Sequence, residues 1–176
     1  MVDTALDELG KQRKVVANSR IDLARSKIGM VVRAGEPKPD ISSVGAFKRT
    51  LLEAKSITYS DSASGVYLST VLFERLGIAD QLRSKSRMIP AEPVGAVVAR
   101  GVAQLGFQQI SELLPVPGVD LIGPLPEAIQ NTTIFAGGVA TGARQPEAAR
   151  ALLQFLYSPA AAQAIAKSGL EPVTSR

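Results

Sequence analysis

Ser56-Ile57-Thr58-Tyr59 leads into Ser60-Asp61-Ser62-Ala63-Ser64-Gly65, and then into Tyr67, Val71, Leu72 and Leu76, which recur at helical spacing until Gly77. A short apolar run, a turn of small residues and an amphipathic helix make one strand-turn-helix unit. The same order recurs downstream: Ser86-Arg87-Met88-Ile89 reads as a strand, and Pro93 stands at the first position of a helix bearing Val94, Val97 and Val98, which Gly101 stops. Leu105 to Ile110 and Val119 to Gly123 read as further strands. Upstream, Ser42 or Ser43 can cap a helix with Phe47, Leu51 and Leu52 on one face. Strands alternating with helices of this length predict an α/β fold with a mostly parallel sheet.

Outside this region the pattern thins. Asp3 can cap a short helix carrying Leu6 and Leu9, with Gly10 near its end, and Lys27 to Arg33 is a short apolar strand. The Pro-rich stretch Ala34-Gly35-Glu36-Pro37-Lys38-Pro39 suits neither a helix nor a central strand and is read as a crossing between lobes. Thr132 to Ala140 mirrors it as a second crossing, followed by helices opening at Pro146 and Pro159. The expected organisation is one complete lobe over residues 36–131 and a partial lobe assembled from residues 1–35 and 132–176. The partial lobe has too few elements to cover both faces of a sheet, which leaves Met30, Val32, Ile134, Phe135, Leu152 and Leu156 short of apolar partners. Pairing of two chains about a two-fold axis would cover them, so a homodimer is expected.

The chain has 176 residues, 45% of them hydrophobic and 20% charged, and it contains no Cys, His or Trp. That composition removes thiolate nucleophiles, imidazole bases and almost every zinc or haem ligand set, so no metal and no cofactor is expected. General-base chemistry would fall to carboxylates, Lys, Ser or Tyr, and a binding protein without catalysis becomes the expectation. The net charge of +4 is local: residues 1–55 hold eleven basic and seven acidic side chains, and the rest nine of each. No long basic run interleaves with aromatics, so nucleic acid is not an expected partner. No stretch approaches the roughly 18 apolar residues of a membrane helix, and Met1-Val2-Asp3-Thr4-Ala5 does not resemble an export signal.

Four stretches together carry a resemblance: Asp22 to Val32; Ser64-Gly65-Val66-Tyr67 leading to Leu76-Gly77; Ala103-Gln104-Leu105-Gly106-Phe107; and Ala148 to Leu156 followed by Ser158-Pro159-Ala160-Ala161. In order and spacing they resemble the periplasmic molybdate-binding proteins, substrate receptors of ABC transporters with the type II periplasmic-binding-protein fold. The likeness runs over essentially the whole chain and begins well inside a typical member. It implies a periplasmic receptor that binds a small anion, a molybdate-like oxyanion or an organic anion, between two lobes and hands it to an ABC permease. A ligand-sensing effector domain of a transcription regulator has the same fold and stands as the alternative.

An oxyanion or carboxylate can be held by backbone N–H groups and hydroxyls where a helix begins. Ser62, Ala63, Ser64 and Gly65 fit that role, with Tyr67 one turn further on; the competing interpretation is an ordinary helix cap and a core tyrosine. The resemblance adds Pro93 and the Val94 N–H, although Glu92 beside them is unfavourable to an anion. Where molybdate binders place a Tyr hydroxyl after Gly-Phe, this chain has Gly106-Phe107-Gln108-Gln109, so Gln109 stands in for it and an organic anion becomes admissible. An enzyme using Ser64 with Lys55 as base is disfavoured, because Lys55 lies on the far side of the strand from the turn and no oxyanion partner can be named.

Overall fold

The computed structural model describes residues 1–174 and divides the chain into two compact units: Met1–Ser26 with the residues from Thr132 on, and Lys27–Asn131. Ser175 and Arg176, counted in the expected partial lobe, lie outside the described residues.

The larger unit is built on a sheet of five strands in the order β4-β3-β5-β2-β6. These are β2 (Ile28–Arg33), β3 (Ile57–Ser60), β4 (Ser86–Ile89), β5 (Leu105–Gln109) and β6 (Val119–Pro124). β3 runs parallel to both β4 and β5, whereas β2 runs antiparallel to β5 and to β6. The expectation of a mostly parallel sheet therefore holds for four strands, with one reversed strand inserted among them.

Side-chain alternation splits the core between the two faces of this sheet. Met30, Val32 and Phe107 pack on one face with Phe47 and Leu51 of α2 (Val44–Glu53) and with Leu68 and Leu72. The Phe47 and Phe107 rings meet edge to face, 5.9 Å between centroids. Val31 faces the other way, onto Val94, Val97 and Val98 of α6 (Val94–Ala99) and Leu113 of α7 (Ile110–Leu113). Gly106 permits that close packing, since a Cβ there would lie 2.6 Å from Val98 and 2.9 Å from Val94. The helix after β3 winds continuously as α3 (Ala63–Tyr67), a π turn (Leu68–Leu72) and α4 (Phe73–Arg75), and α5 (Ala79–Arg83) leads into β4.

The smaller unit holds the antiparallel sheet β7-β1-β8, formed by β1 (Ile21–Ser26), β7 (Thr133–Gly137) and β8 (Glu171–Pro172). Around it lie α1 (Asp3–Lys11), α8 (Pro146–Tyr157) and α9 (Pro159–Lys167). Leu153 of α8 reaches the sheet beside Gly137, where a Cβ would lie 2.4 Å from it.

Two expectations are corrected here. The chain leaves the first unit between Ser26 and Lys27, not at Glu36, and the Pro-rich stretch is a loop inside the larger unit. Ile28 to Val32 are all buried, and a strand buried on both faces belongs in the middle of a sheet. Proline marks a loop whether or not a lobe ends there, so it misplaced the crossing. For the same reason Met30 and Val32 have full partners. Ile134, Phe135 and Leu156 are half-buried, and α8 buries no residue, leaving Leu152 and Phe155 more than half exposed.

Candidate functional site

β3, β4 and β5 are parallel neighbours, with Ser60 opposite Ile89 and Tyr59 opposite Phe107. Their carboxyl ends therefore open on one edge of the sheet, where open α/β sheets place their ligands. The turns at Ser62–Gly65 and at Pro93-Val94 both lie on that edge. A cavity of about 500 Å³ sits there, lined by Ser60, Asp61, Ser62, Ala91, Glu92, Pro93, Gln108 and Glu112.

The turn after β3 is built from serine hydroxyls. Ser60 Oγ lies 2.8 Å from Ser62 Oγ and 3.0 Å from Ser64 Oγ, and Ser62 Oγ lies 3.3 Å from Ser64 Oγ. Each hydroxyl of this triangle can donate or accept, so the group can turn a donor outward without leaving a buried oxygen unsatisfied. Ser62 is the cap residue of α3, yet its side chain takes no helix N–H; the hydroxyl goes to the other serines. The N–H groups of Ala63, Ser64 and Gly65 find no acceptor among the described residues, as expected for a first helical turn.

The second turn is held differently. The Val94 N–H donates to Gln108 Oε1 at 3.0 Å, so the backbone donor expected for a ligand is already occupied by a side chain from β5. Glu92 pairs with Arg100 at 2.9 Å, which offsets its charge beside the cavity. Ala91 sits between β4 and α6 at φ 62°, a left-handed conformation that costs a non-glycine residue about 1–2 kcal/mol. Asp61 and Glu112 have no hydrogen-bond or ion-pair partner among the described residues.

The sequence candidates separate clearly. Ser62 and Pro93 line the cavity; Ala63, Ser64 and Gly65 form the start of α3 directly after Ser62, with Ser64 and Gly65 buried. Tyr67 is not part of the site: its hydroxyl donates to the Ile129 carbonyl at 3.0 Å and accepts from Arg75 at 3.2 Å, which anchors the turn Glu127–Ile129. Gln109 is 4% exposed, and Gln108, on the opposite side of β5, lines the cavity instead. Strand alternation carried that signal, because a core Phe107 puts Gln109 on its own face and Gln108 on the other. Lys55 stands before β3, at the end opposite Ser60, where it lines a separate cavity of about 580 Å³ with Arg33 and Gln104. Ser60, Asp61, Ala91, Gln108 and Glu112 are not among the residues the sequence singles out; of these only Gln108 has a readable signal, in the alternation along β5.

Residues 1–171 match the family described as bacterial extracellular solute-binding protein. The chain belongs to that family. Among solved structures, this solute-binding chain is similar to the periplasmic molybdate-binding protein of Azotobacter vinelandii, at TM-score 0.72 and 19% identity over 96% of this chain and 74% of the other. It is also similar to a periplasmic thiamin-binding protein, at TM-score 0.70 and 16% identity over 100% and 65%. Likeness at this identity is one of fold, that of the type II periplasmic binding proteins. A relative from Pseudomonas sp is far nearer in sequence: 56% identical over all 176 residues, which make up 67% of its length, and named aconitate isomerase. That finding overturns the expectation of a protein with no enzymatic activity. Composition pointed the wrong way because the absence of His and Cys removes the commonest bases and leaves carboxylates, which can also move protons. No helix among the described residues is long and apolar enough to cross a membrane.

Proposed function

We propose that this solute-binding chain takes a tricarboxylate of the aconitate type at the carboxyl edge of its five-stranded sheet and isomerises it by an allylic proton shift. The observation that carries this reading is the 56% identity, along the entire chain, to a protein named aconitate isomerase. The cavity supplies matching chemistry: hydroxyls of Ser60 and Ser62 as donors to a carboxylate, and unpartnered carboxylates of Asp61 and Glu112 within the same lining.

In the proposed step Glu112 removes a proton from the methylene carbon of aconitate. The C–H electron pair becomes the new double bond to the central carbon, and the pair of the old double bond takes a proton at the far carbon from the protonated Glu112, which is exposed and exchanges its proton with water. The double bond moves by one position, atoms and charge balance, and no oxidant or reductant is required. Rotation in the delocalised intermediate lets the product form in either geometry. Charge that builds on the substrate carboxylates meets the serine hydroxyls, donors placed before the reaction begins.

The test is proton NMR of purified protein with trans-aconitate in deuterated water. The cis isomer should appear with solvent deuterium at the shifted carbon, and Glu112→Gln should lower turnover by about 100-fold or more while binding stays within a few-fold. A wild-type protein that binds no tricarboxylate would remove the reading.

Family membership supports a second reading, a periplasmic receptor that binds a small anion and delivers it to an ABC permease. Tight binding without isomer formation would favour it. For either reading we propose that the exposed Leu152 and Phe155 of α8 pair two chains as a homodimer.

A further inference from the structure

We infer that Gln108 determines which ligands the cavity accepts, because its amide is locked as a donor and so selects a carboxylate over a cation or a neutral donor. The inference rests on the tricarboxylate reading and names the side chain that would enforce it.

A free glutamine offers both an acceptor and a donor, and by itself discriminates poorly between ligands. Gln108 is not free. Its Oε1 accepts the Val94 N–H at 3.0 Å. A backbone N–H can only donate, so the atom facing it must be the oxygen, and the orientation of the amide follows from its partner. The acceptor end is thereby committed. Nε2 is left as the working end, with no acceptor for it among the described residues, and Gln108 lines the cavity together with Ser60 and Ser62. Packing limits the alternatives, since the side chain is half-buried at the end of β5 beside the first residue of α6. A flip of the amide would set an NH2 against the Val94 N–H and cost that hydrogen bond.

A site whose polar group can only donate rejects ligands that offer it another donor, because one of the two groups is then desolvated without a partner. A carboxylate satisfies it. Asp61 and Glu112 would otherwise make the cavity hospitable to cations. The locked amide and the serine hydroxyls are the groups on the cavity wall that favour an anion.

The isosteric variant Gln108→Glu separates this role from a structural one. One oxygen of the new carboxylate still accepts the Val94 N–H, so the thermal midpoint should not fall, while the other replaces a donor with an anionic acceptor. Calorimetry with trans-aconitate should show its dissociation constant rise by about 100-fold, the loss of a charge-assisted hydrogen bond, and steady-state assays should place the effect in KM. Equal binding of trans-aconitate by wild type and Gln108→Glu, within threefold, would overturn the inference. The same pair is titrated with citrate, malonate and molybdate. If wild type ignores trans-aconitate but binds another of these anions, and the variant weakens it, the tricarboxylate reading fails and the role of Gln108 stands. If wild type binds none of them, both fail.

Discussion

A Cβ on Gly65 would lie 1.7 Å from the carbonyl oxygen of Ser60, so the first turn of α3 presses directly on the end of β3. No side chain fits there without moving backbone. That contact brings Ser64 back over Ser60 and closes the triangle of hydroxyls. Gly65→Ala should therefore destabilise the protein by about 3 kcal/mol or more and abolish ligand binding in any fraction that still folds. Thermal denaturation and calorimetry on the same preparation check both. A stable Gly65→Ala protein with normal affinity would mean that the turn relaxes freely.

The Tyr67 hydroxyl is committed to the Ile129 carbonyl, away from the cavity. Tyr67→Phe removes this bond and the one from Arg75, should cost about 1–2 kcal/mol of stability, and should leave trans-aconitate affinity within twofold. A large loss of affinity at unchanged stability would return Tyr67 to the site.

Ala91 holds a left-handed conformation at the cavity rim. Ala91→Gly relieves that strain and should raise stability by about 1 kcal/mol. Because glycine also loosens the loop that presents Glu92 and Pro93, affinity should fall modestly. A chemical denaturation curve tests the first effect and calorimetry the second.

Asp40 accepts the Ser42 N–H at 2.8 Å, a backbone hydrogen bond that holds its carboxyl below the ordinary 3.8, helped by the Ser42 hydroxyl. The sign follows from the depressed folded value. The stabilisation is complete above the ordinary carboxylate range and is lost as pH falls through the folded pKa. Asp40→Asn should lower stability in the neutral region, where the ionised carboxylate contributes, and converge on wild type below about pH 4, so the acid limb flattens. Denaturation midpoints across that range are the measurement.

The face of α8 carries Leu152 and Phe155 in the open, 57% and 55% exposed. Light scattering at tens of micromolar should give about twice the chain mass of 18.5 kDa. Leu152→Glu with Phe155→Glu should return a monomer, since charge at the centre of an apolar contact is costly to desolvate. A wild-type monomer would refute the pairing.

Much of the larger unit was legible from local signals. Ser86 to Ile89 and Leu105 to Gln109 are strands because each is a short run between turn residues, and α6 begins beside Pro93 and ends near Gly101 for the reasons capping gives. The site was half legible. Ser62 and Pro93 are readable as turn residues after strands, but the motif after Gly106-Phe107 points to Gln109 where the structure has Gln108 at the cavity, since one residue of register reverses the face a side chain occupies. Glu112 and Ala91 carry no signal in one sequence, since an exposed Glu and an Ala between a strand and a helix are common.

By itself the sequence determined the α/β class, the strand-turn-helix repeat and the serine-rich turn, because spacing, capping and turn chemistry act over a few neighbouring residues. Only the tertiary structure decided that Ile28–Arg33 lies inside the five-stranded sheet, that Tyr67 turns to Ile129, and that Gln108 spends its oxygen on Val94. Each of those depends on partners distant in the chain: β2 on β5 and β6, Tyr67 on a residue 62 positions away, and Gln108 on a helix 14 positions earlier. A polar side chain chooses among the acceptors and donors that folding brings to it, and local sequence does not contain that choice.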